Sequence, residues 1–343
     1  MFPLDATPGR NCFIKGREFL FFSGYSYLGM NHVSHFTDLV KEGIDKYGVL
    51  FPSSRISNTQ LKLYGDFEKE LSTLISTEET VSFSSGYLAG KTIADILSAY
   101  KNVFTAPGTH PAIKSPTHEQ NNSSFTEWAH NVLNTINNSN EKDFVIISDS
   151  VNIMQSVIYN FSFVKEINRN KKIILLIDDS HAVGILGSKG EGIISRLPVK
   201  NNIEYIITYS LSKAFNIEGG AVSCSKYFAD ILRKHPNYTA STAINPSLAF
   251  AFINSQEIYQ DQRKKLIKNI KFVNENLPGK LLAKNDSSLP IFIAKAKSAE
   301  KFLKNNIVIS SFNYPNPQSD KYERAIINAL HTKSDLQTLL AVN

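Results

Sequence analysis

Cysteine is nearly absent: the 343 residues hold only Cys12 and Cys224. One pair gives no disulfide framework and no zinc spacing, so a reducing, cytoplasmic compartment is expected. No apolar run approaches the roughly 18 residues of a membrane span, so none is expected. The first residues, MFPLDATPGR, have no apolar signal core. The eight histidines form no HExxH and no carboxylate-rich pattern, so no catalytic metal is expected. Internal repeats and long low-complexity segments are also missing. Charge of one sign is not concentrated: the net +6 comes from scattered lysines and arginines. That balance suits small anionic ligands and argues against nucleic acid.

What is present is a globular pattern, 42% hydrophobic and 20% charged, long enough for one large domain and a smaller one. From about residue 60 to 235, short apolar runs alternate with amphipathic stretches. The runs TVSFS (80–84), NVFTA (102–106), FVIIS (144–148), KIILLID (172–178), YIITYS (205–210) and GAVSCS (220–225) predict strands. YLAGKTIADILSAY (87–100) has helical spacing, and Asn/Ser-rich pieces near 120–124 and 137–140 read as loops. Strands interleaved with helices predict a mostly parallel sheet covered on both faces, with ligands beyond the C-terminal strand ends. Ser84, Asp149, Asp178 and Ser210 fall at or next to such ends. Later, a long helix (246–275), LPIFIAKA (289–296), NIVISSF (306–312), a strand in AIINAL (325–330) and a closing helix, TKSDLQTLLAV, read as a smaller α+β domain. The expected division is a segment 1–35 packing with the small domain, a large domain 36–240, and the small domain 241–343.

Lys213 lies in YIITYSLSKAF (205–215), ahead of Gly219-Gly220. Upstream, KIILLIDDSH (172–181) ends in Asp178 and His181. A carboxylate and a lysine at the ends of two buried strands suit pyridoxal phosphate (PLP). The lysine makes the Schiff base, and the aspartate keeps the pyridine nitrogen protonated. Strand 80–84 runs into SSGY (84–87), where a glycine at a helix start lets backbone N–H groups face a phosphate. GYLAGKT (86–92) is not a nucleotide P-loop, because three residues rather than four separate its glycines. GILGSKGEG (184–192) fits neither that motif nor a dinucleotide fingerprint and reads as a glycine-rich loop. His110, after NVFTA and a turn, can lie flat on a cofactor ring. Ser210, Ser212, Ser241 and Thr242 can bond phosphate oxygens, and Arg324 can clamp a carboxylate with its planar fork. Taken singly, each is more often a solvated loop residue.

Taken in order, these pieces resemble the α-oxoamine synthases, a group of fold-type I PLP enzymes. The resemblance covers roughly residues 8 to 340. Its most specific parts are SGYSYLGM (23–30), SSR with a following glutamate (53–68), SSGYLAG (84–90), IDDSHAVGILGSKGEG (177–192), SLSKAFNIEGG (210–220) and STAINP (241–246). It implies a seven-stranded, mostly parallel sheet between helices, plus the small domain. It implies Lys213 as the covalent lysine, Asp178 at the pyridine nitrogen, His110 stacked on the ring and His181 near the phenolic oxygen. Ser85, Gly86, Tyr87 and Ser210 would hold the phosphate, joined by Thr242 from the other subunit of a homodimer. Arg324 would bind the amino-acid carboxylate, with Arg55 and Tyr25 also on the substrate side. The implied reaction condenses an amino acid with an acyl-CoA thioester. Departures cluster around substrate. The family's Asn-Asp before Tyr-Leu-Gly is Tyr25-Ser26, and a common histidine is Tyr64. A usual asparagine is Gly90, and Ser-Met-Asp-Gly-Asp reads Ile153-Met154-Gln155-Ser156-Val157. Two other readings stay open: an aminotransferase-like reaction without CoA, and a catalytically quiet binding protein.

Overall fold

The computed structural model describes residues 2–114, 123–283, 286, 288–314 and 317–342. The loop expected at 120–124 lies largely outside them. The chain opens with a hairpin, β1 (Asn11–Ile14) and β2 (Arg17–Phe22). Its two turn residues, Lys15 and Gly16, have φ of 51° and 75°, the primed geometry whose twist suits paired strands. Two amphipathic helices follow, α1 (Ser34–Tyr47) and α2 (Lys62–Ile75). Strands and helices then alternate: β3 (Glu79–Phe83), α3 (Gly86–Leu97), β4 (Val103–Thr105), α4 (Phe125–Asn138) and β5 (Asp143–Asp149). A small ribbon, β6 (Val151–Asn152) and β7 (Val157–Ile158), precedes β8 (Lys172–Asp178), β9 (Ile203–Ser210) and β10 (Gly220–Cys224). Helices α5 (Lys226–Leu232), α6 (Pro236–Thr239), α7 (Pro246–Ile253) and α8 (Gln256–Asn276) come next. The chain closes with β11 (Ile291–Ile293), α9 (Ser298–Lys304), β12 (Ile307–Asn313), β13 (Lys321–Ile326) and α10 (Lys333–Val342).

The main sheet has the order β3-β10-β9-β8-β5-β4. Strands β9, β8, β5 and β4 pair in parallel, and β10 is antiparallel to both its neighbours. These are the six strands read from the apolar runs. The seventh that the resemblance implied is not found among the described residues. Alternate residues of the central strands feed two different cores. Ile146, Leu175 and Ile177 join one cluster, while Val145, Ile147 and Leu176 join the other. Both faces are therefore covered, which is why these strands read as unbroken apolar runs.

The second sheet has the order β1-β2-β12-β13-β11. Strand β2 pairs in parallel with β12, Leu20 opposite Ile307. One apolar cluster runs from Phe22 and Tyr27 through Leu175 to Phe292 and Ile326, joining the two sheets.

Three expectations shift. The helix expected at 246–275 is two helices, broken where Ser255 Oγ bonds back to Ala251 O at 2.5 Å. Such back-bonding competes with the helix ladder. The strand placed in AIINAL begins earlier, at Lys321. It ends at Ile326, just before Asn328 turns the chain by accepting from Leu330 N. The loop placed at 137–140 starts later, because Asn137 and Asn138 still belong to α4. The Asn137 amide donates to Glu166 O at 3.0 Å and accepts from Asn168 N at 2.9 Å. Among the described residues, no helix is long and apolar enough to cross a membrane.

Candidate active site

Strands β5, β8 and β9 run side by side and end at the same level, with Asp149 opposite Asp178 in the ladder. A cavity of about 840 Å³ opens beyond these ends. Gly86, Tyr87, His110, Asp178, His181, Ser210 and Lys213 all line it, brought together from four separate segments.

The start of α3 forms one wall. Ser85 caps the helix by accepting from Leu88 N at 3.1 Å, so its side chain is turned to the helix rather than into the cavity. A Cβ on Gly86 would lie 2.6 Å from Ser210 Cβ and 2.8 Å from Ser210 Cα. Only glycine allows this approach, which sets the free amides of the first helical turn beside the end of β9. Ser210 Oγ pairs with Ser212 Oγ at 2.8 Å, and Ser210 N donates to Ser180 Oγ. Helix amides and serine hydroxyls in this arrangement suit a phosphate.

Asp178 Oδ1 accepts from Ser180 N at 2.9 Å, leaving Oδ2 for a donor in the cavity. Lys213 is half-buried, and among the described residues its amine makes no hydrogen bond or ion pair. Burial lowers its pKa, partly opposed by the nearby charges of Asp178 and Asp149. Asp149, which accepts from His110 N at 3.1 Å, has its pKa raised well above the usual range by burial and by Asp178.

Tyr27 was not singled out from the sequence, although it sits inside SGYSYLGM. It is fully buried, and among the described residues its hydroxyl meets only His181 Nδ1, at 2.8 Å. A buried phenol must place its proton on an acceptor, so Tyr27 Oη donates to Nδ1. Burial and the charges of Lys213 and Arg324 hold His181 neutral, its pKa well below the usual value. The remaining proton of His181 is therefore on Nε2.

Besides Ser85, four expected residues stand away from the cavity lining. Arg55 is a correction. It is enclosed by Glu68 at 2.9 Å, Ser82 O at 3.3 Å and the Tyr238 ring at 4.4 Å. Glu68 also takes Arg233 and the Ser82 N–H and hydroxyl, so this guanidinium serves to neutralise a buried carboxylate away from the cavity. Thr242 is exposed, on the segment leading to α7. Arg324, inside β13, is only 1% exposed. Its Nη1 donates to Ile153 O at 3.0 Å and its Nη2 meets the Tyr25 hydroxyl. Both stand behind the wall made by Ile153 and His181, with the Tyr25 ring edge-on to His181 at 5.0 Å.

The glycine-rich loop continues from His181. Arg263 of α8 holds it, donating from Nε to Ile185 O at 3.0 Å, from Nη1 to Ser188 O at 2.9 Å, and from Nη2 to Gly187 O. Asp179 Oδ2 accepts from Ile193 N at 2.9 Å at the loop's far end. Among the described residues, no group of three or more His, Cys, Asp and Glu side chains could hold a metal ion.

The fold is that of the fold-type I PLP transferases. A serine palmitoyltransferase from Sphingomonas wittichii superposes with a TM-score of 0.85 at 19% identity, covering 99% of this chain and 90% of that one. An 8-amino-7-oxononanoate synthase from Francisella tularensis superposes at 0.69 and 24% identity, covering 94% and 96%. The model of the family described as aminotransferase class I and II matches residues 19–342, and the chain belongs to that family. Among its curated relatives is the 8-amino-7-oxononanoate synthase of Buchnera aphidicola, 25% identical over 345 residues, which are 95% of this chain and 88% of the relative. The cradle at α3, the unpaired Lys213 amine and the open Asp178 oxygen fit pyridoxal phosphate, and the chain is a PLP enzyme of this family.

Proposed function

We propose that this chain is a C-acyltransferase of the α-oxoamine synthase type, joining an amino acid to an acyl-CoA thioester. The observation that carries the reading is the half-buried, unpaired Lys213 amine, sharing one cavity with Asp178, His110, His181 and the start of α3. When bound, PLP supplies an electron sink for a carbanion at the amino acid's α-carbon. The chain's own groups then divide the work. The α3 amides and Ser210 would hold the phosphate. Asp178 Oδ2, left open by the Ser180 contact, would serve the ring nitrogen and favour its charged form. His181, oriented by Tyr27, would offer its Nε2 proton to the phenolic oxygen. The Lys213 amine, neutral more often than an ordinary lysine because burial lowers its pKa, takes the α-proton. Arg324 is the group for the amino-acid carboxylate, and His110 lies at the cavity where a ring would stack.

Three further parts belong to this reading. The working unit is a homodimer in which Thr242 reaches the partner's cavity. Its exposure, and that of Val49, Leu50 and Ile56, supports this. Two free, buried cysteines support a reducing, cytoplasmic setting. Domain boundaries near 35 and 240 are supported by the two separate sheets.

The test is chemical. Borohydride treatment of the yellow protein should label Lys213, as read by peptide mass, and Lys213→Ala should abolish both label and turnover. Amino acids offered with acyl-CoAs of increasing length should release free CoA thiol. Keto-acid formation without thiol release would favour an aminotransferase instead.

A further inference from the structure

Arg324 presents an unusual balance of charges. It is 1% exposed, and among the described residues no carboxylate lies within ion-pair reach. Its neighbours are two aromatic rings, Phe312 at 5.0 Å and Tyr25 at 5.3 Å from the guanidinium carbon. The three nitrogens are unequally served. Nη1 is satisfied by Ile153 O, Nη2 meets Tyr25 Oη, and Nε is buried without a partner among the described residues. A buried cation with an orphaned donor lacks an anion.

The edge on which the anion would sit is Nε with Nη2, whose parallel N–H bonds match a carboxylate. Half of that edge is vacant and half is held by a neutral hydroxyl. Tyr25 Oη thus stands where one carboxylate oxygen belongs. The hydroxyl cannot complete the edge, because one oxygen serves one of the two nitrogens. Tyr25 also stands against His181, which lines the cavity, so its ring lies between Arg324 and the substrate space.

We propose that Tyr25 is a resident competitor for the carboxylate edge of Arg324: an amino acid reaches Arg324 only by displacing the Tyr25 hydroxyl. The inference rests on the PLP reading above and adds a specificity device to it. Substrates with a carboxylate bear the displacement, and amines without one do not. Tyr25 therefore lowers the advantage that Arg324 gives to amino acids over amines.

The experiment is a spectral titration of the PLP-loaded protein. Glycine, L-alanine and L-serine are each compared with the decarboxylated amine, namely methylamine, ethylamine and ethanolamine. Tyr25→Phe removes the hydroxyl and keeps the ring, and Tyr25→Leu serves the same purpose if the first variant folds poorly. The expected result is amino-acid binding on the order of tenfold tighter in the variant, with amine affinities unchanged. Weaker or unchanged amino-acid binding overturns the proposal, because the hydroxyl would then help hold the carboxylate or be irrelevant to it. An equal gain for amines also overturns it, since that reports only a wider cavity. If neither protein responds to any probe, the PLP reading fails and the competitor role falls with it. A responsive wild-type protein with an unimproved variant removes the competitor role alone.

Discussion

Replacing Asp178 with asparagine removes one charge and nearly preserves the shape. The contact to Ser180 N at 2.9 Å survives, because an amide oxygen can accept it. Cofactor should stay bound, held by Lys213 and by the α3 and Ser210 cradle. What is lost is the charge-assisted hydrogen bond that Oδ2 would accept from the protonated ring nitrogen. Such bonds contribute about 1.5–3 kcal/mol, so turnover should fall between about 10-fold and about 150-fold if the loss is felt in the transition state. The change also reaches the neighbours with definite signs. Asp178 raises the pKa of Lys213 against the effect of burial, so its removal should lower the Lys213 pKa further. Asp178 also raises the pKa of Asp149, so Asp149 should ionise more readily in the variant. Turnover and cofactor absorbance measured side by side, with NMR titration of Lys213 in the cofactor-free protein, check all three. A variant with near-normal turnover and an unmoved Lys213 would show that Asp178 is only a strand-end carboxylate.

Other outcomes follow from packing and charge. Gly86→Ala should cost about 1–3 kcal/mol and weaken cofactor retention, because the added carbon meets Ser210 at 2.6 Å; melting temperature and dialysis against buffer read both effects. Glu68→Gln should lower stability by about 3–5 kcal/mol, since buried Arg55 loses its charge partner; chemical denaturation measures this, and a loss under about 1 kcal/mol would refute it. His331 accepts from Asn328 N at 3.0 Å and donates to Phe21 O at 3.0 Å; its burial lowers the pKa to about 4, against the opposing pull of the Phe21 carbonyl, and holds the ring neutral. The unfolded chain takes up that proton first. Stability should therefore be full above about pH 6.5 and fall by about 3 kcal/mol as pH drops to about 4, a slope that His331→Gln should flatten in urea melts across that range.

The main sheet was legible because its strands are buried on both faces, which leaves unbroken apolar runs such as KIILLID. Lys213, Asp178 and His181 were legible for a related reason: they interrupt those runs at their ends. Arg55 was expected beside substrate; the motif that joins it to Glu68, thirteen residues on, contained its partner but did not mark the two as a buried ion pair. Tyr27 looked like one more apolar core residue, and only its contact with His181 distinguishes it. The break between α7 and α8 had a faint signal in Asn254-Ser255, outweighed by the apolar periodicity on both sides.

The clamp that Arg263 places on the loop after His181 has a consequence for the order in which the protein matures. The carbonyls of Ile185, Gly187 and Ser188 leave the ribosome more than seventy residues before the guanidinium that holds them. Strands bearing Asp149, Asp178 and Ser210 can pair while the C-terminal third is still unmade. The loop beside them cannot settle until α8 has been synthesised and docked. The settling of this loop is thereby tied to a late event in the life of the nascent chain, and a chain that stops short of residue 263 would carry Lys213 and Asp178 beside a loop without its clamp.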